Sequence, residues 1–179
     1  MTTTTTRHWV AIYTRSRYEK RVDEGLKENG FTAYLPLVEV RRKWSDRYKM
    51  VETPLFSSYV FVRINLREVD LVKAVDGVCQ IVSFNGAPAI IPDSQIDDIK
   101  RLISTKQEVA VENTSALKKG AQVEISDGPF AGMKGTLISN CKEGNFAIRI
   151  DAIGVSLVTK VDRLLLNPIK KNKNAPTHD

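Results

Sequence analysis

The sequence predicts an α+β domain followed by a small all-β barrel. Three observations carry this. Over the first hundred residues, stretches of period-two and period-3.6 hydrophobic pattern alternate. Both periods vanish between residues 106 and 117. After residue 118 only short strand-like runs remain, separated by glycine turns.

Each element follows from its residues. Trp9-Val10-Ala11-Ile12-Tyr13-Thr14 is β-branched and aromatic, a buried strand. Tyr18, Val22, Gly25, Leu26 and Asn29 then share one helical face, with Ser16 placed to cap and Glu19 at the capping-box spacing. Gly30 stops the helix. Phe31-Thr32-Ala33-Tyr34-Leu35 is a second strand, halted by Pro36. Residues 37–53 read as an exposed hairpin bearing Arg41, Arg42, Lys43, Arg47 and Lys49. Leu55-Phe56 and Tyr59-Val60-Phe61-Val62 make a strongly buried strand. Val69, Leu71, Val72 and Val75 suit a short helix ended by Gly77. Val78 to Phe84 is a strand closed by the turn Asn85-Gly86, and Ala89-Ile90-Ile91 returns. Ile96, Ile99, Leu102 and Ile103 mark a last helix, capped by Asp93 or Ser94.

The expected organisation is a disordered start over 1–6, a first domain over 7–105, a linker over 106–117, a barrel over 118–167 and a disordered basic tail over 168–179. The barrel strands are Gln122 to Ile125, Thr136 to Ile138, Phe146 to Ile150, Val155 to Val158 and Leu164 to Leu166. Closure would remove their exposed edges.

Composition narrows the function. The chain has 179 residues, a formal charge of +6 and 42% hydrophobic residues, too apolar for a disordered chain. No apolar run approaches the ~20 residues of a membrane helix, and no secretory signal opens the chain. Cys79 and Cys141 cannot build a disulfide framework or a four-cysteine zinc site. The expectation is a cytoplasmic protein with no metal, no cofactor and no membrane partner. Only His8 and His178 exist, and no motif assembles a nucleophile, a base and an oxyanion donor, so an enzyme is not expected. Residues 7–108 hold 17 basic and 14 acidic side chains, so the positive excess is thin.

Gly128-Pro129-Phe130-x-Gly132-x-x-Gly135, after Val123-x-Ile125, resembles the KOW motif, which implies that the barrel is SH3-like. Upstream, four pieces look like the N-terminal (NGN) domain of the NusG family. They are Trp9-Val10-x-x-Tyr13-Thr14, Tyr34-Leu35-Pro36, Pro54-Leu55-Phe56-x-x-Tyr59-Val60-Phe61-Val62, and Gly77-Val78 with Ile90-Ile91-Pro92. The resemblance covers residues 7–166. It implies an NGN antiparallel-sheet sandwich that docks on the clamp helices of the RNA polymerase β′ subunit, acting as a monomer. The matching positions for that contact are Tyr13, Tyr59, Phe61 and Phe84, each of which also has a core reading. Arg15, Arg17, Lys20 and Arg21 resemble the surface facing the non-template DNA strand, with nascent RNA as the other nucleic-acid partner. Their other reading is a solvated helix face. Arg41, Arg42 and Lys43 on the hairpin are a second such surface. Phe130 and Met133 match the region by which the family's KOW barrel recruits ribosomal protein NusE or Rho, and they read equally as barrel packing.

Within the family the chain resembles the specialised UpxY, LoaP and RfaH group. Its charged hairpin holds Trp44-Ser45-Asp46-Arg47, and Ser57-Ser58 stands where the family often has Pro-Gly. That resemblance implies antitermination of long operons, such as those for surface or capsular polysaccharide. The Thr-rich stretch that RfaH uses is absent, since residues 68–72 read Glu-Val-Asp-Leu-Val. The alternatives are a housekeeping NusG factor and a ribosome-associated KOW protein. Glycines and β-branched residues across 135–161 predict a barrel that stays β.

Overall fold

The computed structural model describes residues 6–116, 120–138 and 145–169. The expected disordered ends therefore lie largely outside the described residues, as does Cys141. The chain divides into two compact units, one of residues 1–107 with 150–154, the other of 108–149 with 155–179.

The first unit runs β1 (His8–Thr14), α1 (Glu19–Glu28), β2 (Thr32–Tyr34), β3 (Leu37–Lys43), β4 (Tyr48–Pro54), β5 (Tyr59–Ile64), α2 (Val69–Lys73), β6 (Val78–Ile81), β7 (Ser83–Phe84), β8 (Ala87–Pro88), β9 (Ile90–Ile91) and α3 (Asp93–Ser104). Its sheet has the order β2-β5-β1-β6, with β9 also pairing β1, and the pairs are antiparallel. β1 sits centrally because its apolar run can be buried on both faces.

Strand alternation divides the core. Val10 and Ile12 of β1, with Val60, Val62 and Ile64 of β5, pack against Val22 and Leu26 of α1 and Val72 of α2. Trp9, Ala11 and Phe61 fill the opposite face and are buried. There Phe56 and Tyr34 flank Phe61, edge-on at 5.6 Å and stacked at 6.4 Å. α3 buries Ile96, Ile99 and Leu102, and its Lys100 lies over the rings of Trp9 and Tyr34. The α+β sandwich expected from the sequence is therefore present, with helices on both faces.

Several local expectations change. α1 begins at Glu19 after Tyr18, and no side chain caps it. Glu19 points elsewhere, so the Ser16–Glu19 capping box is not formed. The capping box of this unit lies at Asn65 and Glu68 instead, leading into α2. Pro92 stands at the N-cap of α3, so neither Asp93 nor Ser94 caps it. The single strand expected from Val78 to Phe84 is broken into β6 and β7 at Val82, whose N–H donates to the Ala11 carbonyl and whose carbonyl accepts from the Ala89 N–H.

The second unit contains β10 (Val109–Asn113), β11 (Gln122–Ile125), β12 (Lys134–Ile138), β13 (Asn145–Ile150), β14 (Val155–Lys160) and β15 (Leu166–Pro168). Residues 109–113, read as linker, form a strand paired along β14 from Val109–Thr159 to Asn113–Val155. The sheet order is β10-β14-β13-β12-β11-β15. No pairing of β10 with β15 closes this path among the described residues, so it is a six-stranded sheet and not the closed barrel expected. Residues 163–165 form a 3₁₀ turn before β15 rather than a strand. Gly135 allows β12 to lie close on β13, since a Cβ there would meet the Phe146 ring at 2.6 Å.

Candidate functional site

Tyr13 and Tyr59 face each other across β1 and β5. Their rings meet edge-to-face with centroids 5.4 Å apart, and Tyr13 is 40% exposed. The loop before β5 fixes this pair. Ser58 has φ 63, its N–H donates to the Glu19 carboxylate at 2.7 Å, and its carbonyl accepts from the Thr14 N–H at 2.9 Å. The start of α1 and the end of β1 thus both hold the segment that delivers Tyr59.

Phe84 is 76% exposed on the β7–β8 hairpin, whose Asn85 and Gly86 take φ 51 and 81 as the Asn-Gly turn requires. Ile90 on β9 is also exposed. Phe61 differs from these. It shares the face of Tyr59 but is fully buried beneath Phe56 and Tyr34, so it is core and not contact surface. Burial pushes the Tyr34 phenol up to about 12. Burial also raises Asp98 on α3, against the lowering effect of Arg101 and with the raising effect of Asp97.

The basic cluster is organised by a residue the sequence did not single out. Arg15 and Arg21 both pair with Asp76, at 3.4 and 3.0 Å, and both lie over the Tyr18 ring, at 5.7 and 5.5 Å. The partner lies across more than fifty residues of sequence, so no local spacing announces it. Gly77, at φ 92, lets the turn after α2 come this close, because a Cβ there would stand 2.7 Å from Tyr18 Cδ1. Arg17 and Arg21 do not share a helix face, because α1 begins only at Glu19. Arg17 precedes the helix in a left-handed turn at φ 64, exposed, as is Lys20.

Arg41, Arg42 and Lys43 lie on the β3–β4 hairpin, all exposed, with Trp44, Tyr48 and Met50 exposed beside them. In the second unit Phe130 and Met133 are buried. They pin the turn from inside, where Gly132 N–H donates to Ile125 and Met133 N–H to Phe130. They are packing residues, not an exposed partner surface. Leu164, expected to open a barrel strand, is 89% exposed instead.

Among the described residues, no group of three or more His, Cys, Asp or Glu could hold a metal ion. No described helix is long and apolar enough to cross a membrane.

Comparisons with known proteins agree with this arrangement. The family model described as "Transcription termination factor nusG" matches residues 7–100, the span that builds the first unit from β1 into α3. The transcription termination/antitermination protein NusG of Rickettsia typhi is 26% identical over 177 residues, covering 93% of this chain and 91% of its own. That of Thermus thermophilus is 24% identical over 175 residues, covering 86% and 94%. Among solved structures, one titled "Domain interaction in Thermotoga maritima NusG" superposes with a TM-score of 0.51 at 23% identity, covering 92% of this chain and 98% of that one. With more than half of its length matched by the family model and its fold shared, the chain belongs to the NusG family, whose members are non-catalytic transcription factors.

Proposed function

We propose that this protein is a general transcription elongation and antitermination factor that rides on RNA polymerase. The observation that carries the reading is the Tyr13–Tyr59 pair, Tyr13 exposed and Tyr59 half-buried, held in place by Glu19 within the unit that the family model matches. Tyr13 and Tyr59, with Phe84, supply an apolar surface for the polymerase clamp helices. Aromatic side chains suit such a contact because they offer large area at low entropic cost. Arg15 and Arg21 face the non-template strand, with Lys20 beside them, where guanidinium groups can pair with phosphate. The second unit recruits a further partner, NusE or Rho in this reading, through residues other than the buried Phe130 and Met133. Relatives matching over about nine-tenths of the chain carry general termination/antitermination names, and they support the housekeeping reading over the operon-specific one.

Retention on immobilised RNA polymerase tests this. Tyr13→Ala with Tyr59→Ala should weaken retention about tenfold or more while the fold persists. Phe61→Ala should instead destabilise the domain by about 3–5 kcal/mol. Retention on ribosomes but not on polymerase would overturn the proposal.

A second reading keeps the specialised role, and the basic aromatic hairpin is what favours it. Deletion of the gene would then depress one long operon, whereas a general factor would alter many transcripts.

A further inference from the structure

The β3–β4 hairpin has composition and geometry that the polymerase contact does not use. Between residues 41 and 49 it carries five basic side chains and one acidic one. It is exposed along most of its length, so these residues contribute almost nothing to the core.

Its register sorts them onto two faces. Arg41 pairs with Met50 and Lys43 with Tyr48, so Arg41, Lys43, Tyr48 and Met50 share one face. Arg42 pairs with Lys49 on the other. Each face holds an exposed ring with a cation over it. The Arg41 guanidinium lies 4.0 Å from the Tyr48 centroid, and the Lys49 ammonium 5.9 Å from that of Trp44. Tyr48 is 58% and Trp44 54% exposed. The turn between them is closed by the Trp44 N–H donating to the Arg47 carbonyl at 2.8 Å. Arg42, Lys43 and Arg47 have no ion-pair partner among the described residues.

We propose that this hairpin is a two-faced stacking platform for an unpaired nucleic-acid strand. Trp44 and Tyr48 supply the rings on which bases stack, and Arg41, Arg42 and Lys49 meet the phosphates. The proposal rests on the nucleic-acid part of the function above and adds a second surface to it. Charge complementarity selects the occupant. Five cations against one acid, most of them unpaired among the described residues, complement a polyanion. Base stacking tolerates any sequence, because every base has a π face, and the flanking cations follow the backbone. A duplex keeps its base faces covered and would leave both rings unused.

The test uses the full chain, with labelled dT12, rU12 and a 12-base-pair duplex as probes at low salt. The chain has two tryptophans, and Trp9 is only 6% exposed, so quenching by a stacked base reports on Trp44. The single strands should quench this emission, and the tighter of the two identifies the strand as DNA or RNA. Trp44→Ala and Tyr48→Ala should each weaken single-strand affinity about tenfold without changing the salt slope. Trp44→Phe with Tyr48→Phe should keep most of it, which separates stacking from misfolding. Arg42→Gln should lower the salt slope by about 0.7. These losses should persist in an Arg15→Gln, Arg21→Gln background, and the ring variants should still be retained on polymerase. Unchanged single-strand affinity in both alanine variants overturns the platform, and so does duplex binding as tight as single-strand binding. Loss of polymerase retention in Tyr13→Ala, Tyr59→Ala is a separate readout, so the two proposals fail separately.

Discussion

Tyr59 and Phe61 lie two residues apart on β5 and point the same way, as strand alternation dictates. Their fates differ because Phe56 and Tyr34 bury one completely, while Tyr59 meets only the edge of the exposed Tyr13 ring and stays half-buried. The period-two pattern therefore identifies the face, and only the tertiary neighbours decide which ring on it meets solvent. Asp76 is the opposite case. It is unremarkable in sequence and yet gathers Arg15 and Arg21 on Tyr18. Beside it, Gly77 combines a left-handed φ with rings and methyls packed where a Cβ would go. Gly77→Ala should cost about 2 kcal/mol or more in a denaturant melt, from strain and overpacking together. It should also raise the salt-dependent affinity for DNA, as Asp76 shifts away from the two arginines it neutralises.

Elements with a strong period were legible. β1, α1, the long hairpin, the Asn85-Gly86 turn and α3 all lie where their residues place them. Helix starts were less so, because a cap depends on where the preceding chain directs a side chain. Glu19 has the right spacing for Ser16 but bonds the Ser58 N–H, while the Asn65-x-x-Glu68 spacing, equally visible, is the one realised. β10 was misread as linker for another reason. It is a mostly exposed edge strand with little apolar pattern, and its backbone pairing with β14 lies over forty residues away in sequence. Glu19→Ala should lower stability by about 1–3 kcal/mol, by orphaning a part-buried N–H. Retention on polymerase should fall with it at temperatures where the domain remains folded, since the loop delivering Tyr59 loses its clamp.

At the scale of the molecule, the +6 charge is the small excess of 27 basic over 21 acidic side chains, and several of the basic ones are paired with Asp76, Asp23, Asp93 and Glu68. Affinity for nucleic acid alone should therefore be weak and salt-sensitive. With about four phosphate contacts, raising salt from 50 to 200 mM should weaken single-strand binding roughly fifty-fold. Retention on polymerase through apolar rings should change little over the same range, and measuring both on one preparation separates the two modes. The family resemblance was readable across both units, because its motifs are the turns and strand starts that fix the backbone. The closure of the second sheet was not readable, since short apolar runs mark individual strands but not whether the last strand meets the first.

Ser58 adopts the left-handed backbone that a glycine would take most easily, and a carboxylate from the neighbouring helix holds it there. Shape at this turn has thus been uncoupled from residue identity. The turn takes its shape from the rest of the domain rather than from its own two serines.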